Sequence, residues 1–207
     1  MTRAVVLVSG GIDSMTLLYL LLKENVDTYP VFVNYNQRNL RMEKRAIRAF
    51  EKILSLKIKE VKVEGLKPDT MLIKSGNKPS FYYPFRNLML LTIAGVYADE
   101  VNANDVYIGL TQSYTCDVIF PDASMEFLSD VERLFEKQGH PIRLHAPFLN
   151  VEKGVVVYMG KNLGVPYSLT YSCYLGKSTH CGKCPACINR KLAFKRADVD
   201  DPTEYEN

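Results

Sequence analysis

Apolar and polar residues alternate along the chain in blocks that predict strands and helices in turn. Short runs such as Arg3–Val8 have the length and valine content of buried strands. Longer segments with leucines or charges at helical spacing separate these runs. The predicted strands are 3–8, 28–35, 57–63, 105–110 and 142–145, and the predicted helices are 14–24, 40–56, 87–102, 124–138 and 151–163. Strands that alternate with helices form parallel sheets, so the pattern predicts an α/β fold with helices on both faces.

Two connections and the C-terminal end depart from this alternation. The segment 64–84 is longer than the usual link between elements, which is typical of a functional loop. A second loop is predicted over 111–123. The acidic tail 198–207 has no apolar periodicity, so we expect it to be loosely ordered.

Composition favours a globular protein with one well-buried core. The 207 residues are 47% hydrophobic and 24% charged, which is ordinary for such a protein. A net charge of +3, with acidic residues in every predicted helix, argues against a nucleic-acid-binding module. No apolar run approaches the roughly 20 residues of a membrane span, and the first residues lack the pattern of a signal peptide. We therefore predict a cytoplasmic protein with neither a membrane nor a stable nucleic-acid partner.

Four of the five cysteines crowd together late in the sequence, with two-residue gaps between the last three. Such clustering favours a metal site over disulfides, which usually staple distant loops. Four thiolates suit a closed structural zinc site, although an iron–sulfur cluster uses the same ligands and a metal-free cluster is the simplest alternative. His180 can replace one cysteine. Nearby Lys177, Lys183 and Arg190 can offset thiolate charge. The predicted zinc ligands are Cys173, Cys181, Cys184 and Cys187.

The first predicted strand leads through a glycine turn into a helix, with the sequence Ser9-Gly10-Gly11-Ile12-Asp13-Ser14. Glycines let backbone N–H groups approach a phosphate closely, and a helix N-terminus adds partial positive charge. The hydroxyls of Ser9 and Ser14 can donate to the same oxygens. Asp13 fits an anion site only if it binds a metal or orients a neighbouring group. The alternative is a plain strand-to-helix turn with a serine cap.

Two better-known nucleotide motifs are excluded. The turn lacks the third glycine of the dinucleotide-binding fingerprint. The segment Gly176-Lys177-Ser178 looks like the end of a Walker A loop, but Tyr171 stands where the first glycine is required. That segment also lies between presumed metal ligands and not between a strand and a helix.

The Ser9–Ser14 turn resembles the pyrophosphate loop of the ATP pyrophosphatases, which release AMP and pyrophosphate. Over nearly the whole chain, further segments resemble the 7-cyano-7-deazaguanine synthase family in the same order. These segments are Asn34-Tyr35-Asn36-Gln37-Arg38, Pro84-Phe85-Arg86-Asn87, Pro121-Asp122, Ile142–Pro147, Tyr171-Ser172-Cys173-Tyr174 and Cys181–Cys187. The resemblance implies a Rossmann-like sheet of the adenine-nucleotide hydrolase kind, with an ATP-binding domain over 1–165 and a zinc-binding, helical segment over 166–207.

The resemblance also implies a reaction. ATP adenylates the carboxylate of 7-carboxy-7-deazaguanine, ammonia displaces AMP to give the amide, and a second adenylation with loss of AMP leaves the nitrile. Mg²⁺ and a homodimer are further expectations. Two other functions stay open: a related ligase that passes the carboxylate to another amine, such as a protein N-terminus, and a non-catalytic, zinc-stabilised nucleic-acid-binding module.

Site residues follow from matching positions to the family. Lys153 is expected as a second cationic clamp on phosphate, with a solvated lysine as the alternative. Arg86 can grip a carboxylate or phosphate bidentately, whereas Asn87 can merely cap a helix. The catalytic candidates are Asp13, Ser14, Arg86 and Lys153. The ATP-binding candidates are Val8, Ser9, Gly10, Gly11, Ile12, Asp13, Ser14, Met15, Thr16, Leu17 and Leu18. The substrate-binding candidates are Gln37, Arg38, Tyr83, Arg86, Asn87 and Asp122.

The substrate candidates have separate reasons. Gln37 and Arg38 follow the carboxyl end of a strand, where ligands of open α/β sheets bind. Asp122 can accept hydrogen bonds from a guanine-like edge, or it can be a loop carboxylate without a specific role. The run Phe81-Tyr82-Tyr83 offers a stacking face, although aromatic residues are more often core.

Departures from the family pattern fall on the presumed substrate side. Asn36 stands where a glycine is usual, which asparagine tolerates because it adopts left-handed backbone angles. Phe85 replaces a small residue and Ala123 replaces a cysteine, and the segment 111–120 fits the family poorly. The sequence therefore indicates ATP chemistry more strongly than nitrile formation.

Overall fold

The computed structural model describes residues 2–66, 73–75, 78–80, 83–111 and 121–206. Phe81, Tyr82 and Cys116, and with them most of the predicted 111–123 loop, lie outside the described residues. The strands are β1 (Arg3–Leu7), β2 (Asp27–Asn34), β3 (Lys59–Lys62), β4 (Ile73–Ser75), β5 (Lys78–Ser80), β6 (Asp105–Ile108) and β7 (Arg143–His145). The helices are α1 (Ile12–Lys23), α2 (Leu40–Leu54), α3 (Arg86–Glu100), α4 (Met125–Lys137), α5 (Lys153–Asn162) and α6 (Pro185–Arg196), with a 3₁₀ turn at Tyr167–Leu169.

Five strands form a parallel sheet in the order β3-β2-β1-β6-β7. Val5 of β1 is in register with Tyr29 of β2 on one side and with Val106 of β6 on the other. The chain winds outward from β1 to β3 and then returns to the opposite side of β1. The direction of winding therefore reverses between β1 and β6, and ligands of open α/β sheets bind at the carboxyl ends of such strands.

Side chains of the central strand alternate between two apolar layers, because successive residues of a strand point to opposite faces. Val6 packs into one layer and Val5 into the other. The first layer holds buried residues of α1, α2, α5 and α6, among them Met15, Phe50, Val157 and Phe194. The second holds buried residues of α3 and α4, among them Leu91, Ala94, Leu128 and Val131. The predicted sheet with helices on both faces is confirmed.

Element boundaries agree with the pattern within a few residues. Ser124 caps α4, because its Oγ accepts a hydrogen bond from the Phe127 N–H at 3.1 Å. The segment 64–84 is not only a loop, because it contains the antiparallel pair β4–β5. Strands of three residues are too short to show a period in the sequence, which explains the omission. No helix in the described part of the chain is long and apolar enough to cross a membrane.

The C-terminal tail is ordered, contrary to the expectation from its acidic sequence. The side chain of Arg190 on α6 is fully buried, and its Nε donates to Asp201 in the tail at 3.0 Å. The backbone N–H of Glu206 donates to the His180 carbonyl at 2.8 Å. A buried guanidinium needs a counter-charge, so the tail is held by a partner that a periodicity cannot reveal. Arg190 is thus balanced by Asp201 and not chiefly by thiolates.

The C-terminal helix packs on the main body of the protein. Ala193 and Phe194 of α6 belong to the same apolar layer as residues of α1 and α5. The ring of Phe194 meets Tyr167 edge to face, with centroids 5.2 Å apart. The domain boundary at residue 165 stays a prediction.

Candidate active site and metal centre

The Ser9–Ser14 turn connects the end of β1 to the start of α1 at the point where the sheet winding reverses. Gly10 has φ +76°, a left-handed conformation that favours glycine. It also lies tight against α2, since a Cβ at this position would sit 2.7 Å from the Cβ of Ala46. The turn therefore needs glycine for its backbone angles and for its packing.

The two serines of this turn hold each other in place. Ser14 Oγ accepts a hydrogen bond from the Ser9 N–H at 3.1 Å and lies 3.2 Å from Ser9 Oγ. Ser9 Oγ in turn accepts from the Gly11 N–H at 3.4 Å. Both hydroxyls also line the neighbouring cleft. The turn thus presents hydroxyl and backbone donors together at a helix N-terminus, the arrangement that binds phosphate.

Lys153, the first residue of α5, forms an ion pair with Asp13 across 140 positions of sequence. Their side chains are only 14% and 19% exposed, so Lys153 is not a solvated surface lysine. The second carboxylate oxygen of Asp13 is buried and has no hydrogen-bond partner in the described part of the chain. Asp13 therefore orients the ammonium group at the cleft, and its other oxygen has no partner among the described residues.

Gly109, which follows β6, is a site residue that the sequence analysis missed. A Cβ at this position would lie 2.9 Å from both the Asp13 carbonyl carbon and the Ser14 nitrogen. Only glycine lets the end of β6 pass so close to the turn after β1. Its position just after a strand, at the carboxyl end of the sheet, is the signal that could have identified it.

A cleft of about 300 Å³ opens above the carboxyl ends of β1, β2 and β6. Several candidates contribute to its wall: Val8, Ser9, Gly11, Ile12, Asp13, Ser14, Gln37, Arg86, Asn87 and Lys153. Other ATP-binding candidates lie behind it. Met15, Leu17 and Leu18 are core residues with no exposed surface, and Thr16 Oγ1 hydrogen-bonds to Tyr167 Oη at 3.0 Å. The helical period explains the difference, because only the first turn of α1 reaches the cleft.

The wall beside β2 is built from a network of amides around a carboxylate. Gln37 Nε2 donates to Glu43 Oε2 at 2.7 Å, and Asn39 Nδ2 donates to Glu43 Oε1 at 2.9 Å. The Gln37 oxygen accepts from the Tyr35 N–H at 3.0 Å. Both polar side-chain atoms of Gln37 are therefore hydrogen-bonded within the protein, so its side chain shapes the wall.

Aromatic and cationic groups form the outer part of this wall. The rings of Tyr35 and Tyr83 stack with centroids 6.1 Å apart and an interplanar angle of 10°. Tyr35 lines the cleft, whereas Tyr83 is not among the described residues of the cleft wall. Burial raises the pKa of Tyr35 to about 12, despite the opposing effect of the Arg86 guanidinium. Tyr35 therefore stays protonated at neutral pH.

Asp122 lies outside the cleft wall, at the N-terminus of α3. Its Oδ2 accepts from the Asn87 N–H at 3.2 Å, and its carbonyl accepts from Asn87 Nδ2 at 2.8 Å. These bonds satisfy backbone and side-chain donors at the start of the helix. Asp122 thus caps α3 and fixes Asn87, which does face the cleft.

Arg38 is exposed and also lies outside the cleft wall. Its backbone is close to Gly176, where a Cβ would sit 2.5 Å from the Arg38 carbonyl oxygen. The neighbouring Asn36 has φ 63°, so the expected left-handed conformation is confirmed. The Gly176 segment is a close packing contact and not a phosphate-binding loop.

Arg143 and His145 of β7 both bind Asp105, the first residue of β6, and none of the three lines the cleft. Asp105 accepts hydrogen bonds from Arg143 at 2.8 Å and lies 2.6 Å from His145 Nε2. The Asp105 side chain is 4% exposed. These contacts join β6 to β7 and contribute to the fold.

The four C-terminal cysteines converge as predicted. Their Sγ atoms all lie within 4.8 Å of one another, and all four residues are buried. Those of Cys181 and Cys187 are 3.9 Å apart. A tetrahedral zinc with bonds of about 2.3 Å requires sulfurs about 3.8 Å apart, so the residues fit a four-thiolate metal. Hydrogen bonds from Cys184, and to a smaller extent from Cys187, lower the pKa of Cys173 and so favour its thiolate form.

His180 is not a fifth member of this cluster. Its Nε2 accepts a hydrogen bond from the Ser172 N–H at 3.0 Å, and burial lowers its pKa to about 4. The ring packs between Tyr171 and Tyr205, with centroids 4.6 and 5.9 Å away. His180 therefore fixes the backbone beside the cysteines and the tail.

The metal segment also supports the glycine turn. The Tyr171 N–H donates to the Gly10 carbonyl at 2.9 Å. Ser172 and Tyr174, together with Ala186 and Asn189 of α6, complete the cleft wall. The cysteine cluster thus holds one side of the cleft in place without lining it.

Comparison with known proteins gives the same assignment over the whole chain. The model of the queuosine biosynthesis protein QueC matches residues 3–198. The 7-cyano-7-deazaguanine synthase of Picrophilus torridus is 33% identical over 231 residues, covering 100% of this chain and 93% of that protein. The enzyme of the same name from Anaeromyxobacter sp. (strain Fw109-5) is 34% identical over 226 residues, covering 98% and 96%.

Two solved structures have a similar fold at low sequence identity. A 4-thiouridine synthetase in an RNA complex with bound ATP has a TM-score of 0.56 and 19% identity, covering 95% of this chain and 50% of that one. The U34-tRNA thiolase NcsA from Methanococcus maripaludis, with its 4Fe-4S cluster, has a TM-score of 0.52 and 12% identity, covering 95% and 67%. The full-length matches to the family model and to its curated relatives show that this chain belongs to the QueC family of queuosine biosynthesis proteins.

Proposed function

We propose that this chain uses ATP and ammonia to convert 7-carboxy-7-deazaguanine to 7-cyano-7-deazaguanine. The relatives that carry this synthase name match from end to end. The observation that carries the proposal is the Ser9–Ser14 turn beside the Asp13–Lys153 pair, at one end of a cleft large enough for small molecules.

This end of the cleft suits the departure of pyrophosphate. When the carboxylate attacks the α-phosphorus, the bond to the leaving pyrophosphate breaks and its charge increases. Backbone N–H groups at the start of α1, the hydroxyls of Ser9 and Ser14, and the Lys153 ammonium can stabilise that charge. Fixed donors of this kind lower the barrier because they need little rearrangement during the reaction.

The opposite end suits the heterocycle and its carboxylate. Arg86 lines the cleft and offers the planar guanidinium that pairs with carboxylates. Tyr35, supported by its stacked neighbour Tyr83, offers an aromatic wall. Ammonia then displaces AMP to give the amide, and a second adenylation followed by loss of AMP gives the nitrile.

Mg²⁺ would enter with the nucleotide. Magnesium in nucleotide enzymes is usually held by one or two carboxylates together with substrate phosphates. The unpartnered buried oxygen of Asp13 fits that role while the other oxygen pairs with Lys153. The ion would neutralise part of the charge on the leaving pyrophosphate.

The metal at the four cysteines is proposed to be structural zinc. Cys173, Cys181, Cys184 and Cys187 would hold it, and four thiolates leave no open position for a substrate. It would stabilise the fold of the segment that supports the Ser9–Ser14 turn. The homodimer stays a prediction.

The test is a product assay with the purified protein, 7-carboxy-7-deazaguanine, ATP and ammonium. We expect mass spectrometry to find the nitrile, and nucleotide analysis to find AMP and pyrophosphate. ADP and phosphate as the only nucleotide products would contradict the adenylation chemistry. A product that stops at the amide, or one that contains a different supplied amine, would favour the related ligase.

A further inference from the structure

Glu43, on the first turn of α2, is a cleft residue that the sequence analysis did not single out. Its carboxylate lines the cleft beside Arg86 and accepts one hydrogen bond on each oxygen, from Gln37 and Asn39. A carboxylate oxygen can accept more than one hydrogen bond, so each keeps capacity for a ligand.

The orientation of this carboxylate is fixed by the protein. The side-chain oxygen of Gln37 accepts a hydrogen bond from the Tyr35 N–H, and its Nε2 donates to the Val33 carbonyl oxygen at 3.3 Å. Its amide can therefore present only N–H to Glu43. The Glu43 backbone packs closely on the glycine turn. Its carbonyl oxygen would lie only 3.3 Å from a Cβ built on Gly10. The carboxylate is thus held at a set position relative to the Ser9–Ser14 turn.

Two carboxylates line the cleft among the described residues, and they differ in their partners. Asp13 forms an ion pair with Lys153. Glu43 has no cation within ion-pair distance in the described ranges, and its direct partners are two neutral amides. Of these two carboxylates, Glu43 is therefore the one without an ion-pair partner among the described residues.

The groups around Glu43 leave it able to change protonation near neutral pH. Burial raises its pKa to about 7, and the hydrogen bonds from Gln37 and Asn39 and the charge of Arg86 act in the opposite direction. Two other ionisable groups of the cleft wall act on Glu43. They are the guanidinium of Arg86, on α3, and the hydroxyl of Tyr35, which follows β2. Tyr35 stays protonated, so it does not compete for a proton.

The proposed reaction, on which this inference rests, releases protons from a single nitrogen. When ammonia forms the C–N bond and the bond from carbon to the AMP oxygen breaks, one proton leaves the nitrogen. When the adenylated amide becomes the nitrile, the second bond from carbon to oxygen breaks and the last two protons leave. A carboxylate fixed beside that nitrogen can accept protons in both stages and return them to solvent in between.

We propose that the Glu43 carboxylate is the proton acceptor for the attacking nitrogen in both stages. Adenylation of the carboxylate substrate releases no such proton and needs no such acceptor. The steps at nitrogen therefore depend on Glu43, whereas the adenylation of the carboxylate that precedes them does not.

The experiment compares Glu43→Gln with the wild-type protein and with Glu24→Gln, an exposed control at the far end of α1. Two activities are measured: nitrile formation, and ATP–pyrophosphate exchange with the carboxylate but without ammonium. We expect Glu43→Gln to lower kcat for nitrile formation by about 10²- to 10⁴-fold, the usual range for a lost acid–base group. Its exchange rate should stay near that of the wild type, and Glu24→Gln should change neither activity.

The pH dependence gives a second readout. Glu43 must be deprotonated to accept a proton, so wild-type kcat/KM, expressed per free ammonia, should rise with pH through about 7. Glu43→Gln should lose this rise, Glu43→Asp should keep it at a lower rate, and added formate should partly restore Glu43→Ala. These two variants test the role even if Glu43→Gln is unstable.

Three results would overturn the inference. Unchanged kcat in Glu43→Gln would exclude proton transfer by this group. An equal loss of nitrile formation and exchange would assign Glu43 to adenylation or to the fold. A raised KM with unchanged kcat would make it a binding group. By contrast, a wild-type protein that does not adenylate the carboxylate would overturn the proposed function, and the role of Glu43 with it.

Discussion

The two ends of the cleft are built in different ways. The end at the Ser9–Ser14 turn comes mostly from one continuous stretch of chain. Lys153 adds a cation to it, and Gly109 and Tyr171 add close backbone contacts. The other end combines Gln37, Glu43 and Arg86 from separate elements. Side chains at the first end are arranged by a glycine turn and a helix start. Side chains at the second end are arranged by hydrogen bonds to one another.

This difference determines what each end can be used for. A turn that presents backbone N–H groups binds any phosphate of the right shape, so its chemistry can be shared by many enzymes. A wall assembled from several elements can change one residue at a time, which suits selection of a particular substrate. Two of the family departures, Asn36 and Phe85, directly precede Gln37 and Arg86 of this second end, which agrees with this division.

The largest expected effect comes from removing the support of the first end. Cys184→Ser, or removal of the metal by a strong chelator, should lower the melting temperature by on the order of 10 °C. Several kcal/mol of metal-binding free energy would be lost, and each kcal/mol shifts Tm by about 2–4 °C in a protein of this size. ATP affinity should also fall, because the Tyr171 N–H no longer holds the Gly10 carbonyl firmly. Calorimetry and nucleotide titration measure the two effects.

The matched control is Lys183→Ser, at the exposed residue that directly precedes Cys184, which should change Tm far less. Elemental analysis identifies the metal: one zinc per chain supports the assignment, whereas iron with sulfide means a cluster. A stable Cys184→Ser protein that binds ATP but makes no product would contradict a purely structural role.

The next effect concerns Lys153, the distant cation of the first end. Lys153→Met should lower the rate of pyrophosphate release by about 10²- to 10³-fold, the usual cost of one lost charge-stabilising donor. Lys161→Met, at the exposed end of the same helix, is the matched control. Because Asp13 and Lys153 act as a pair, Asp13→Asn combined with Lys153→Met should cost less than the sum of the single changes. Additive losses would show that the two residues act independently.

Sequence alone predicted the parts of the molecule that depend on local pattern. The strands and helices of the sheet, the glycine turn and the convergence of four cysteines each follow from short-range spacing. The position of Lys153 came from family resemblance, because no local rule connects residues 140 positions apart. Its ion pair with Asp13 became visible only in the structure.

The parts that were missed depend on tertiary packing. Gly109 matters because β6 passes the start of α1, and the tail is ordered because Asp201 neutralises a buried arginine. Glu43 was hidden because a charged residue on an amphipathic helix normally faces solvent. The contact of Asp122 with the start of α3 was not foreseen either: its Oδ2 accepts from the Asn87 N–H, while its role toward the substrate stays a prediction.

The smallest expected effect tests whether Asp122 belongs to the second end at all. Asp122→Ala removes the acceptor for the Asn87 N–H, which should cost about 1 kcal/mol and lower Tm by about 2–4 °C. Ser124→Ala removes an equivalent cap from α4 and is the matched control, with a similar loss of stability. Because Asp122 does not line the cleft, KM for the deazaguanine carboxylate should change no more in Asp122→Ala than in Ser124→Ala. A large rise in KM for Asp122→Ala alone, at equal stability, would return Asp122 to the substrate site and make the second end of the cleft larger than the described residues indicate.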